Sequence, residues 1–209
     1  MENKWSQKDI EGVDSLETLV YATRLLGNEP ELVLWGGGNT SLKRREKDFR
    51  GREVDVLRVK GTGANMATID ASGFAGVRLD DVLPLREWDE MGDEEMVDYL
   101  DHTLMEPKGR RPSVETFLHA FIPHPAVFHT HANAILALAD AEDGEEHIKK
   151  ALGPSVGVVP YFRPGFPLAK AVAEVYDSQP DIIGVVLMNH GLVTWGGDCR
   201  EAYDRHIEL

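Results

Sequence analysis

A layered α/β domain is the fold this sequence predicts, and three observations predict it. Stretches with apolar residues at helical spacing alternate with short β-rich runs. Glycine turns stand at the ends of two of those runs, in "GGGNTS" and "KGTG". The chain has 209 residues, 42% of them hydrophobic, enough for one sizeable core.

Taken in order, "DSLETLVYATRLLGNEP" opens on Asp14, a suitable N-cap, with Glu17 three residues on as in a capping box. Leu16, Leu19, Val20, Ala22 and Leu26 recur at helical spacing, and Gly27, Asn28 and Pro30 end the helix. "ELVLWGGGNTSLK" predicts a short strand running into a glycine-rich turn. "EVDVLRVKGTG" sets Val54, Val56, Arg58 and Lys60 against Asp55, Leu57 and Val59, a strand that stops at the second glycine turn. "DEEMVDYLDHTLM" predicts a helix with Met96, Leu100 and Leu104 on one face, and "PSVETFLHAFIP" one that starts at Pro112-Ser113 and ends at Pro123. "AVFHTH" reads as a strand, "ANAILALAD" as the helix after it, "GVVPYFRPG" as a strand into a turn and "PLAKAVAEVYDS" as a helix. "DIIGVVLMNHGLVTWGG" predicts a hairpin broken at Asn189-His190-Gly191, and "DCREAYDRHIEL" a last helix capped by Asp198. No internal repeat, low-complexity tract or linker is visible.

A formal net charge of -14 argues against a general nucleic-acid binder, which needs clustered Lys and Arg. It leaves room for a small phosphorylated ligand, because a nest of backbone N–H groups holds one phosphate inside an acidic protein. The single cysteine, Cys199, forms no intrachain disulfide. "MENKWSQKDIEGVDS" has no apolar h-region, and no apolar run approaches the ~20 residues of a membrane span. The expectation is a soluble cytoplasmic protein with no membrane partner.

His129 and His131 lie two apart in "VFHTH", so on a strand they share a face, a workable placement for two imidazoles on one metal ion. A catalytic site needs a third ligand, and His190 in "LMNHGLV" is the best candidate, since an unpartnered ring is costly in an apolar hairpin. The pair alone is better read as two ordinary histidines; the third shifts the balance toward metal. Glu115 begins an apolar helix, where a carboxylate serves either as a cap favoured by the helix dipole or as a general base. His119 is one turn on, within reach of Glu115. The two glycine turns fit neither a P-loop nor a dinucleotide fingerprint. Singly each reads as a tight turn; with Ser113 they offer three places for phosphate donors.

In order and spacing, "GGGNTS", "KGTG", "PSVETFLHAF", "VFHTHANA" and "MNHGLVTWG" followed by "EAYDRHIEL" resemble the class II aldolase/adducin family over nearly the whole chain. The resemblance is strongest to the aldolase part of bifunctional rhamnulose-1-phosphate aldolase/dehydrogenase chains, on "GGGNTS", "DEEMVDYL" and "VPYFRPGFPLAKAVAEVY". It implies a three-layer α/β/α domain with a mixed, mostly antiparallel sheet, and C4 tetramers with the site between subunits. By motif it implies His129, His131 and His190 as ligands of Zn2+ or another divalent metal, Glu115 as the acid/base carboxylate, and Gly38, Asn39, Thr62, Gly63 and Ser113 as phosphate-binding residues. Val114 stands where fuculose-phosphate aldolases carry a second Ser, which leaves a backbone contact there. The implied reaction is retro-aldol cleavage of a ketose 1-phosphate to dihydroxyacetone phosphate and an aldehyde such as lactaldehyde. A pentulose-5-phosphate 4-epimerase, a sugar-phosphate dehydratase and a non-catalytic adducin-like interaction module share the fold; the three histidines and the carboxylate count against the last. Family members continue beyond the helix that ends here at Leu209. The expectation is therefore one domain over 1–209, a short member or a piece of a longer fused chain.

Overall fold

The structure is a computed structural model that describes residues 1–35 and 37–209; Gly36 of "GGGNTS" lies outside the described residues. The chain runs through α1 (Ser15–Gly27), β1 (Asn39–Lys47), β2 (Glu53–Lys60), β3 (Phe74–Arg78), α2 (Leu79–Val82), α3 (Asp93–His102) and α4 (Thr116–Phe121). It continues through β4 (Ala126–Thr130), α5 (Asn133–Ala139), α6 (Gly144–Leu152), β5 (Val156–Val159), α7 (Phe166–Ser178), β6 (Gly184–Leu187), β7 (Gly191–Gly196) and α8 (Cys199–Glu208). Among the described residues the strands make one 7-stranded sheet in the order β3-β2-β1-β4-β7-β6-β5. All neighbouring pairs are antiparallel except β5 with β6.

Side-chain alternation along these strands divides the core into two layers of packing, one on each face of the sheet. Leu57, Val59, Val77, Val127, Val185, Val193 and Trp195 pack with α2, α3, α4 and α7. Leu42, Phe74, Ala126, Phe128, Val186 and Leu192 pack with α1, α5, α6 and α8. The result is the three-layer α/β/α arrangement that the family resemblance implies. The caps at Asp14 and Asp198 form: Asp14 accepts from the backbone N–H of Leu16 at 2.8 Å, and Asp198 from that of Glu201 at 2.8 Å.

Four details differ from the sequence reading. Residues 31–35 are not a strand: Leu32 and Val33 both donate to the Glu29 carbonyl in a turn, and Trp35 has a φ of 55°, which an extended chain does not use. The strand lies after the glycine turn instead. Its opening residues are polar yet buried because each has a partner, Thr40 with Thr23 at 2.5 Å and Ser41 with His119 at 2.7 Å. Helix α4 starts at Thr116 rather than Pro112, because Pro112 pairs with Gly61 in an isolated bridge. Leu104 likewise leaves α3 to pair with Val77.

Two fully buried histidines bear on stability. Burial pulls the rings of His119 and His206 down to about 3, so both are neutral in the folded chain. An unfolded imidazole titrates near 6.5. Between those values the unfolded chain binds protons that the folded chain does not, so stability is lost as the pH falls from about 6.5 toward 3. In thermal melts of the metal-free protein, His206→Gln, which never charges, is expected to show a shallower acid slope, by about one proton, or ~1.4 kcal/mol per pH unit. An unchanged slope would show that His206 does not contribute.

Candidate metal centre and active site

The antiparallel pairing of β4 with β7 matches His129 to Val193 and Thr130 to Leu192. That register brings the turn between β6 and β7 beside the end of β4. His129 lies on β4, His131 one residue beyond its end, and His190 in the turn. The ring centroids of these three residues are 4.9, 4.9 and 5.2 Å apart. One ring nitrogen from each lies within 4.8 Å of the others.

His129 is fully buried, and its Nδ1 is 3.0 Å from the carbonyl oxygen of Leu192. A carbonyl only accepts, so Nδ1 carries the hydrogen and Nε2 presents a lone pair. That Nε2 is buried without a hydrogen-bond partner, as are His190 Nδ1 and Glu115 Oε1. Burial depresses the pKa of His190, and that of His131 to about 4, which keeps both rings neutral and able to ligate. Three converging imidazoles, two of them with an orphaned buried nitrogen, fit a divalent cation, and an all-histidine donor set suits zinc.

Two glycines allow this approach. A Cβ on Gly191 would lie 2.3 Å from the Thr130 carbonyl oxygen and 3.1 Å from His129 Cε1. Gly38 has a φ of 68°, and a Cβ there would lie 2.8 Å from the His129 carbonyl oxygen. Gly38 therefore supplies close packing under the histidine strand as well as a place in the cleft.

Glu115 sits just before α4 and is buried, but its side chain makes no capping bond. Its Oε1 lies 3.3 Å from His190 Nε2, and its Oε2 3.7 Å from His129 Nε2. The Asn39 amide donates to Oε2 at 2.6 Å. That leaves the Asn39 oxygen to accept from His119 Nε2, and His119 Nδ1 to accept from the Ser41 hydroxyl at 2.7 Å. The chain Ser41–His119–Asn39–Glu115 thus fixes the Asn39 amide and one oxygen of the carboxylate. Burial alone pushes the Glu115 carboxyl up, but His129, His190 and Asn39 outweigh it and hold the pKa below its ordinary value.

A cleft of about 270 Å³ opens beside these groups, lined by Gly37, Gly38, Asn39, Lys60, Thr62, Gly63, Ser113, Glu115, His131 and His190. It gathers the sequence-derived candidates, with His129 buried beneath. Thr62 is less available than its motif suggests: its hydroxyl donates to the Pro112 carbonyl at 3.0 Å and its N–H to that of Arg111 at 2.9 Å. Lys60 is a wall residue that the motif reading passed over. It is buried, and burial lowers its pKa against the opposing pull of Glu115. The β2 alternation did not show this place, since it sets Lys60 on the face opposite Val59, whose partner Ser41 shares a face with Asn39; Lys60 reaches the cleft as the last residue of the strand. A larger groove of about 740 Å³ lies elsewhere, lined by Asp89, Glu90, Glu95, Lys170 and Glu174 among others, and touches none of the three histidines.

A mixed sheet with helices on both faces and a three-histidine, one-carboxylate cleft at the strand ends defines an enzyme-like α/β domain. Residues 17–209 match the family described as Class II Aldolase and Adducin N-terminal domain. The chain belongs to that family. It is similar to the N-terminal class II aldolase domain of a conserved protein from Thermoplasma acidophilum, 47% identical, with a TM-score of 0.93 over 100% of this chain and 95% of that one. It is 46% identical over 93% of its length to the uncharacterized oxidoreductase YuxG of Bacillus subtilis (strain 168), and spans 28% of that protein. It is 35% identical over 50% of its length to a methylthioribulose-1-phosphate dehydratase of Pseudomonas syringae pv. tomato, covering 59% of it. Among the described residues no helix is long and apolar enough to cross a membrane.

Gly191→Ala tests the close approach of β7 to β4. The added methyl group meets backbone, which cannot rotate away, so the expected cost is about 1–3 kcal/mol of stability, as for overpacking. Zinc binding should weaken with it. Thermal melts and a zinc titration on the same sample check this, and wild-type values in both would show that the strands have room to spare.

Proposed function

We propose that the chain is a zinc-dependent aldolase that cleaves a ketose 1-phosphate of the rhamnulose- or fuculose-1-phosphate type to dihydroxyacetone phosphate and an aldehyde. The observation that carries this reading is the convergence of three imidazoles on one side of a buried carboxylate whose Oε1 is 3.3 Å from His190 Nε2 and has no hydrogen-bond partner. His129, His131 and His190 would hold the metal. Zinc, when bound, supplies Lewis-acid polarisation of the substrate's carbonyl oxygen and so favours cleavage of the neighbouring C3–C4 bond.

The chain's own residues do the rest. Glu115 shuttles the proton, taking it from the hydroxyl that becomes the aldehyde oxygen and returning one to the carbon left behind. Asn39, held by His119 and Ser41, keeps Oε2 engaged so that Oε1 is the atom presented to substrate. Gly63, Ser113 and Lys60 stand on the cleft wall and would bind the phosphate, with Lys60 adding a positive charge to backbone donors. Anchoring at one end and ligation at the other hold the reacting carbons in register. The protein is expected to act in the cytoplasm as a homotetramer.

A second reading, dehydration of a ketose 1-phosphate, is favoured by the 35% identity to a methylthioribulose-1-phosphate dehydratase. It would use the same carboxylate. Incubation with a panel of ketose and pentulose phosphates separates the two: an aldolase releases dihydroxyacetone phosphate, a dehydratase gives a product one water lighter with the carbon chain intact. Glu115→Gln keeps the shape and removes the base. It is expected to lower turnover by about 10² or more, with folding and metal content close to wild type. Retained turnover with a lowered melting temperature would make Glu115 a structural residue.

A further inference from the structure

Thr130 separates His129 from His131 on the chain, and the alternation of β4 sends its side chain to the opposite face of the sheet, toward α8. There its hydroxyl is 2.7 Å from Nε2 of His206. The other nitrogen of that ring, Nδ1, is 2.8 Å from the Thr194 hydroxyl on β7. Thr194 in turn donates to the Ala202 carbonyl of α8 at 3.1 Å. Since Thr194 spends its hydrogen on a carbonyl, it accepts from His206 Nδ1–H, and His206 Nε2 accepts from Thr130 O–H. One proton arrangement satisfies every member, and all three side chains are buried, with exposures of 0%, 0% and 2% for Thr130, Thr194 and His206.

We propose that His206 is a positioning residue for the metal centre, holding Thr130 to β7 and α8 and so fixing the direction in which His129 and His131 leave β4. The inference rests on the metal-centre reading above. A ring bonded at both ends is a rigid spacer between two strands and a helix, whereas apolar contact alone would let the end of β4 slide. His131 has the most to gain, because it lies just past the last residue of β4 and has no strand pairing of its own. Outer partners of this kind set metal affinity through the orientation of the ligands they support.

The test is zinc affinity, measured by competition with a chromophoric chelator, together with the visible spectrum of the cobalt(II)-loaded protein. Three variants are compared with wild type. His206→Leu removes the ring, and Thr130→Val removes one hydroxyl at nearly constant shape. Thr103→Val removes a buried hydroxyl that donates to the Leu100 carbonyl, remote from β4, and controls for lost stability. His206→Leu and Thr130→Val are expected to bind zinc about tenfold or more weakly and to shift the cobalt bands, within the range of outer-partner losses. Thr103→Val is expected to lower the melting temperature with wild-type affinity and spectrum. Wild-type affinity and spectrum in Thr130→Val would overturn the proposal, and that variant decides alone if His206→Leu does not fold. A wild-type protein that binds neither zinc nor cobalt would overturn the metal-centre reading itself, and this inference with it.

Discussion

The register between β4 and β7 is the constraint on which the site depends. Pairing Thr130 with Leu192 places Gly191 against the Thr130 carbonyl, and only a residue without a side chain fits there. The same register sets the Leu192 carbonyl 3.0 Å from His129 Nδ1, which selects the tautomer that leaves Nε2 free. It also carries the turn holding His190 alongside the end of β4. A slip of one residue would turn His129 to the other face and break all three relations together. Backbone geometry thus settles the location of the imidazoles and which nitrogen His129 can offer.

A second constraint is the desolvation of Glu115. A buried carboxylate is costly unless it is hydrogen-bonded or faces positive charge. Here the two oxygens are treated differently: Oε2 takes the Asn39 amide, while Oε1, 3.3 Å from His190 Nε2, is left without a hydrogen-bond partner. The difference originates in β1, whose first three residues are Asn39, Thr40 and Ser41. Asn39 and Ser41 share a face two residues apart and bracket the His119 ring of α4, while Thr40 points to the other face and meets Thr23 of α1. Polar residues inside a core are tolerated when every donor finds an acceptor, and a satisfied network of this kind is rigid. Rigidity on the Oε2 side gives the Oε1 side a fixed aim.

That network also explains what the sequence concealed. Helices α1, α5, α7 and α8 and strands β2 and β4 to β7 show ordinary apolar periodicity, and the break at Asn189-His190-Gly191 marks the β6–β7 turn directly. Strand β1 has no such pattern, because its buried end is polar and partnered and its far end, rich in Lys, Arg and Glu, is a half-buried to exposed hairpin arm. The apolar "ELVLW" drew the strand to the wrong side of the glycine turn; Leu32 and Val33 are buried, but from a turn. At the site, the three histidines and Glu115 were legible as residue types in order. The supporting set of Ser41, Lys60, Thr130 and His206 was not, since each is one polar residue in a strand or helix and only the fold brings it to its partner.

The choice between a metal enzyme and an interaction module with the same fold turns on the polar atoms left over. Buried donors and acceptors are nearly always satisfied, and each one left alone costs about 1–3 kcal/mol. His129 Nε2, His190 Nδ1 and Glu115 Oε1 are all buried without a hydrogen-bond partner; Glu115 and His190 line the cleft, and His129 lies against both. A module that bound its partners through its outer surface would gain nothing from that expense, and apolar side chains in their place would make a more stable core. On the proposed reading, a cation among the imidazoles would answer for the histidine nitrogens, and a substrate hydroxyl in the cleft for the carboxylate oxygen. Each requires the other residues to stay where they are, which is why the histidines, the carboxylate and the cleft are best understood as one device rather than three coincidences.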